Sequence, residues 1–528
     1  MNDFIQSGDT VDCGSLLPLC GVAQLAACGR KTSRIIHSTF AFLALLATSQ
    51  AAQPFGIQVV DDVTGRGVPL VELRGVSSQT WLTDSAGWVA FDEPGLFNVP
   101  VFFSLKSHGY EYPKDGFGMA GLKLTPQPGG HATVKIHRVN LAERLYRQTG
   151  QGIYRDSTLL GEKVPLADGL GAGKVAGQDS TQVAVYHGRL FWIWGDTNRM
   201  EYPLGNYRTS AAWSDLPAKG GLAPSVGVNF HYFTDKSGFC KAMVPLKGGE
   251  GVVWLDGMCV VHDDAGAEKL VARYQRRQGL GKLLEQGICV FSDENEIFES
   301  AAVLPTEDAE WRTLCGQITP GRNDGYLYAG STALSIRVPA TLKAVLDPAS
   351  YEAWTCVSKD GVQHKPDGSA DYTWRKDGQP LESIKEAEWV KSGKLKMEDC
   401  RMRPVDVATG EHITLHVGTV RWNEHRQKWL LIATQYFGKP SSLGEIYYSE
   451  ADTPMGPWKK AIKVITHDRY TFYNPVQHPF FDDGKWIYFE GTYTKEFSGN
   501  EVATPRYDYN QMMYRLDLDE ARLGKVRE

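Results

Sequence analysis

YHGRLFWIWGDTN (residues 186–198) sets a tight His-Gly turn ahead of a short strand of Phe, Trp and Ile, and the pattern returns four times. The other copies are GGEGVVWLDGMCV (248–260), RNDGYLYAGST (322–332), NEHRQKWLLIATQ (423–435) and DDGKWIYFEGTYT (482–494). Each is followed, directly or after an insertion, by a strand ending in polar or acidic residues, such as NYRTSAAWSD or YNQMMYRLDLDE. Irregular repetition of turn-plus-aromatic strands is the pattern of radial sheets arranged around an axis. The expected fold is all-β, and the five copies predict a five-bladed β-propeller over residues 151–525 with a narrow axial pocket.

Working outward, residues 56–138 read as a separate small β-domain. GIQVVDDVTGRGVPLVELRG, WLTDSAGWVAFDEPG, VPVFFSLKSHGYEYP and HATVKIHRV are short alternating strands broken by turn residues. Their order and spacing resemble the carboxypeptidase regulatory-like (transthyretin-like) β-sandwich. That resemblance implies an accessory role, removable without loss of the pocket. NLAERLYRQTG (140–150) places Leu141, Leu145 and Tyr146 at helical spacing, so residues 139–150 are expected to link the domains through one or two helical turns. Polar residues 357–411 predict outer strands of the third repeat plus a surface insertion.

The chain has 528 residues, enough for two or more domains, and 42% hydrophobic content, enough for a packed interior. A net charge of only −6, with both signs mixed, gives no electrostatic case for nucleic acid or an anionic membrane surface. Residues 13–60 contain no Asp or Glu. Within them, Arg30-Lys31-Thr32-Ser33-Arg34 precedes the apolar run IIHSTFAFLALLA and then Thr48-Ser49-Gln50-Ala51-Ala52. Residues 1–52 therefore read as a leader with a signal peptide cut near Ala51 or Ala52, and the mature protein as secreted or periplasmic with no membrane span. An uncleaved anchor is the alternative. The stretch before Arg30 is unusual for a signal peptide and points to a later translation start. Beyond the leader stand Cys240, Cys259, Cys289, Cys315, Cys356 and Cys400, an even number that permits disulfides after export.

The first repeat carries the chemistry. With His187-Gly188 as a two-residue hairpin turn, cross-strand partners count outward so that Asp179 falls opposite Asp196. Their Cβ atoms would lie about 5 Å apart. Like charges so placed destabilise a sheet, and one carboxyl is expected to hold a proton. The alternative is that both cap strand ends. In the fifth repeat, an Asp483-Gly484 turn would set Gln477 opposite Glu490, with His478 beside them. In the fourth, Arg421 lies in an apolar strand and would clamp a carboxylate or sugar hydroxyls, and Glu445 begins a strand after Gly444. Glu445, Glu490 and His478 are equally readable as structural groups.

QDS and WGDT in the first repeat, with GEIYYSEADTPMGPW and NPVQHPFF…IYFEGTYT later, resemble the five-bladed propeller glycosidases, of the arabinanase/β-xylosidase type or the endo-D-arabinanase type. The endo-D-arabinanase pattern implies catalysis by Asp179 and Asp196. The arabinanase/xylosidase pattern implies Asp179 as base and a later Glu as acid, but its pKa-modulating Asp has no clear match. The implied activity is hydrolysis of a poly- or oligosaccharide, with Trp194, Tyr202, Tyr207 and Tyr473 stacking on sugar faces. No cofactor is implied, and no metal ligand set stands out, although Asp-rich turns would suit a structural calcium. A non-catalytic carbohydrate-binding propeller remains an alternative. So does a propeller polysaccharide lyase, for which Tyr473, Arg421 and His478 would form the site. No HExxH, phosphate loop or GxSxG occurs.

Overall fold

The computed structural model describes residues 53–246, 250–306 and 311–527. The expected leader, residues 1–52, lies outside the described residues. The described chain is nearly all β, with α-helix only at Arg155–Leu159, Leu342–Val345 and Ser383–Lys391. None of its helices is long and apolar enough to cross a membrane.

Residues 55–138 form two four-stranded sheets. In one, Phe55–Asp61 lies between Trp88–Phe91, antiparallel, and His131–Arg138, parallel. In the other, Glu72–Gly75 lies between Thr80–Leu82 and Val101–Lys106. Ile57, Val59 and Ile136 of the first sheet share one buried core with Leu73, Phe91 and Phe103. Alternating apolar residues supply these inward faces.

Five antiparallel sheets follow. Their first strands are Gln182–Tyr186, Val252–His262, Thr319–Pro320, Leu415–Asn423 and Thr471–Gln477. In four of the five, the turn-plus-aromatic motif is the second strand: Arg189–Trp194, Tyr326–Ala329, Lys428–Gln435 and Trp486–Thr494. The second copy is out of phase. GVVWLDGMCV belongs to Val252–His262, the first strand, and the turn into the second strand, Glu268–Arg277, is Asp263–Gly266. The polar 357–411 stretch adds Thr373–Arg375 to the third sheet and holds the helix Ser383–Lys391.

Residues 140–150 do not form helical turns. Glu143–Arg147 is a strand, antiparallel to Asn510–Asp517, and completes the fifth sheet. Its charged residues gave it an amphipathic look, yet all five positions are buried. Arg515 Nε reaches Glu143 Oε2 at 2.6 Å. Arg144 donates from Nε to the Pro69 carbonyl and from Nη1 to the His108 carbonyl. The N-terminal sheets are therefore not a loosely tethered accessory. Leu70 and Leu82 sit in the same core cluster as Leu430, Phe472 and Phe489.

First strands of successive sheets lie side by side. The Met258 N–H donates to Gln182 Oε1 at 2.8 Å, the Thr319 hydroxyl to the Val420 carbonyl at 2.9 Å and the Gln477 N–H to Thr419 Oγ1 at 3.1 Å. Ser180 N–H donates to Thr492 Oγ1 of the fifth sheet at 3.1 Å.

Candidate active site

The first hairpin has the expected register. Gln178 pairs with Thr197, Gln182 with Ile193 and Tyr186 with Arg189. His187 (φ 48°) and Gly188 (φ 70°) both take left-handed backbone, as a type I′ turn requires. Asp179 and Asp196 consequently meet at the open end. The Asp179 carbonyl accepts the Gly195 N–H at 2.8 Å, and the Asp196 N–H donates to Asp179 Oδ1 at 2.9 Å.

The two carboxyls sit in different surroundings. Asp179 accepts from the Tyr473 hydroxyl at 2.7 Å and the Ser180 hydroxyl at 3.1 Å, and Tyr509 also hydrogen-bonds it. Burial raises its pKa, and these donors oppose the rise by favouring the anion. Asp196 has one side-chain donor, Trp254 Nε1 at 2.7 Å. Burial, with the Asp179 charge adding to it, pushes the Asp196 carboxyl up to about 7. Burial raises both carboxyls, and Asp179 has more side-chain donors favouring its anion than Asp196 has.

Strained backbone surrounds the pair. Ser180 (φ 56°), Asn474 (φ 49°) and Tyr509 (φ 58°) are all left-handed without being glycine, at a cost of ~1–2 kcal/mol each. Asn474 Nδ2 donates to Ser180 Oγ at 2.9 Å, which ties two of these positions together. Such strain collects where geometry serves function. Gly195 shows close approach: a Cβ there would stand 2.4 Å from Asp179 Oδ1. Glu496, exposed, adds a third carboxylate whose charge is felt by both aspartates. Phe497, 59% exposed, lies edge-on to Tyr473 with ring centroids 6.1 Å apart. Trp254, Tyr509, Glu496 and Phe497 were not singled out from sequence, because they come from other sheets and from one long loop.

The remaining expected residues divide. Tyr473 belongs to the pair. Tyr202 is exposed in the loop after Thr197–Arg199, and Tyr207, half-buried, accepts the Gly205 N–H at 3.3 Å. Trp194 is no stacking surface: it is 1% exposed, packed on Trp192 and Tyr232. Glu445 is fully buried, paired with Lys463 Nζ at 2.7 Å and accepting from Thr466 Oγ1 at 2.9 Å. Glu490 is fully buried against His478 Nε2 at 2.9 Å. A carboxyl sealed from solvent in this way is a structural acceptor.

Gln477 is not opposite Glu490. Gln477 faces Phe489, and Glu490 faces Val476, because the hairpin runs through a 3-10 turn at Pro479–Phe481 and is not a simple two-residue turn. A slip of one residue reverses which face a side chain takes. Arg421 clamps no carboxylate; its Nη1 donates to the Gln317 carbonyl at 3.3 Å and to the Thr319 hydroxyl. Arg421, Gln477 and His478 instead line a separate cavity, so the Tyr473, Arg421 and His478 cluster required for a lyase is not assembled. The six described cysteines are unpaired. Among the described residues no group of three potential ligands is placed to hold a metal ion.

A scan of family models found no match, and a search of curated proteins found none. Among solved structures, the chain is similar to an endo-arabinase from Bacteroides thetaiotaomicron at 10% identity, covering 66% of this chain and 97% of that one, with a TM-score of 0.33. It is similar at 8% identity and a TM-score of 0.34 to an exo-1,5-alpha-L-arabinanase from a bovine ruminal metagenomic library, covering 65% and 93%. A GH43_1 enzyme from Xanthomonas citri complexed with xylotriose matches at 9% identity and a TM-score of 0.32, covering 65% and 87%. The site residues are assigned from their own geometry.

Proposed function

We propose that the five sheets are the blades of a β-propeller and that the chain is a glycoside hydrolase with Asp179 and Asp196 as its catalytic pair. One observation carries the reading: two carboxyls joined across one hairpin and both raised by burial, one with hydroxyl donors that oppose the rise and favour the anion, the other pushed up to about 7. Asp196, protonated, gives its proton to the glycosidic oxygen as the bond to the anomeric carbon breaks. Asp179, ionised, either attacks that carbon or takes a proton from the water that does. Phe497 and Tyr202 offer exposed aromatic faces for sugar rings. The two N-terminal sheets correspond to the carboxypeptidase regulatory-like domain, and the leader directs export, so the substrate is an extracellular or periplasmic poly- or oligosaccharide.

The test is a panel of polysaccharides, arabinans included, with product masses compared between wild type and Asp196→Asn. Products carrying one added water, lost in the variant, support the reading. Unsaturated products, or no cleavage of any polymer that binds, overturn it.

A further inference from the structure

A sizeable cavity lies away from the aspartate pair. It has a volume of about 500 Å³ and takes residues from all five first strands, among them Val185, Val260, Pro320, Trp422 and Val476. Asp179 precedes the strand Gln182–Tyr186, and Tyr473 stands near the start of Thr471–Gln477. The cavity uses the far ends of those strands, at Val183–Val185 and Val476–Gln477. At about 3.3 Å per residue, the two sites are separated by on the order of 15 Å. A layer of polar contacts lies between them: Gln182 Nε2 donates to Asp256 Oδ1 at 2.8 Å, and Gln317 Nε2 to the Thr181 carbonyl at 2.9 Å.

The wall is mostly apolar and contains no acidic side chain. Into it comes Arg421, 8% exposed. No carboxylate lies within ion-pair distance of its guanidinium among the described residues, and its hydrogen bonds all leave from Nη1, to the Gln317 and Val420 carbonyls and the Thr319 hydroxyl. Nε and Nη2, the edge suited to a two-point contact, have no acceptor. Burial lowers the Arg421 pKa to about 10, with Asp482 as the nearest opposing charge, and burial holds that carboxyl up at about 7. Three buried polar atoms on the lining have no hydrogen-bond partner: Gln477 Oε1, Gln477 Nε2 and His478 Nδ1. A buried cation with no carboxylate in direct contact is costly, and a planar guanidinium matches a carboxylate at two points.

We propose that this cavity is a second ligand site, which takes a small organic carboxylate with an apolar body, its carboxylate on Arg421 and its body against Val185, Val260 and Phe480. Arg421 supplies the charge, Gln477 and His478 supply polar edges, and the surrounding side chains exclude water from the contact. The site shares no residue with the aspartate pair and does not depend on the hydrolase reading.

The probe is benzoate, with benzyl alcohol and inorganic phosphate as controls, measured by calorimetry and thermal shift on the full chain. Benzoate is expected to bind at least tenfold more tightly than either control, because each lacks one half of the match. Val185→Trp fills the cavity without touching Arg421 and is expected to weaken benzoate at least tenfold; Arg421→Met is expected to do the same. Asp196→Asn is expected to leave benzoate binding unchanged. Equal binding of benzoate and benzyl alcohol, phosphate binding as tightly as benzoate, full binding to Val185→Trp, or no benzoate binding overturns the proposal. If Arg421→Met fails to fold, Val185→Trp and the ligand comparison still decide.

Discussion

The Asp196 N–H donates to the Asp179 carboxylate at 2.9 Å, so the two aspartates are joined by main chain while their side chains turn to different partners. Substituting each therefore has a different structural cost. Asp196→Asn removes a carboxyl that burial keeps near neutral and is expected to fold at least as stably as wild type. Asp179→Asn replaces an acceptor held by several donors and is expected to melt a little lower, by the ~1 kcal/mol of a neutral hydrogen bond. Both are expected to lose about 10²–10⁴-fold in turnover. Paired melting and rate measurements check this. Normal rates in either variant would remove that aspartate from the mechanism.

The raised pKa of Asp196 gives two pH signatures. As an acid it must be protonated, so turnover is expected to fall as pH rises through about 7. Trp254 favours the ionised form, so Trp254→Phe is expected to raise that pKa and move the alkaline limb upward. A group whose folded pKa is raised gives stability that is present below its unfolded value and lost as pH climbs through the folded one. Asp196→Asn is therefore expected to gain melting temperature over wild type on going from pH 5 to pH 8. A constant difference across that range would show that the carboxyl does not titrate there.

Gly195→Ala is expected to fold and to lose most activity, because its Cβ would stand 2.4 Å from Asp179 Oδ1 and displace that carboxylate. The loss should appear in kcat more than in KM. Unchanged turnover would show that the carboxylate position is not critical.

Tyr507 ties the N-terminal sheets to the loop that carries Tyr509. Its hydroxyl donates to the Thr83 carbonyl at 2.5 Å and accepts the Leu70 N–H at 3.2 Å. Asp508, next in sequence, accepts from Tyr470 at 2.6 Å and from the Lys495 N–H at 2.6 Å, and Tyr509 reaches Asp179. Tyr507→Phe is expected to cost about 1 kcal/mol for the hydrogen bonds lost, since the Leu70 N–H still donates to the Thr83 carbonyl at 3.2 Å, and to lower activity with no change at the aspartates themselves. Deleting residues 56–138 uncovers the core shared with Leu70 and Leu82 and is expected to give insoluble protein, contrary to the accessory role read from sequence. A soluble, active fragment would refute both expectations.

The first hairpin was legible because His187-Gly188 admits only one turn geometry, and every pairing outward follows from it. The fifth was not. The 3-10 turn at Pro479–Phe481 alters the connection, so counting from Asp483-Gly484 slips by one at Gln477. Trp194 was misassigned because Leu190–Trp194 is buried on both faces, where alternation carries no information about direction. Glu143, Arg144 and Arg147 concealed a buried strand because Glu143 pairs with the distant Arg515, Arg144 donates to the Pro69 and His108 carbonyls, and Arg147 donates to the Thr149 and Gln151 carbonyls. Trp254, Glu496 and Tyr509 reach the aspartates from other sheets and loops, a convergence that local pattern does not encode.

The strand Glu143–Arg147 brings the two ends of the ring-forming sequence together. Thr149 Oγ1 donates to Asn510 Oδ1, 361 positions away. Closing a loop of that length costs about 5 kcal/mol in chain entropy beyond a constant. The last sheet cannot be completed until Asn510–Asp517 has been synthesised, so that strand acts as the latch that commits the polypeptide to its folded form.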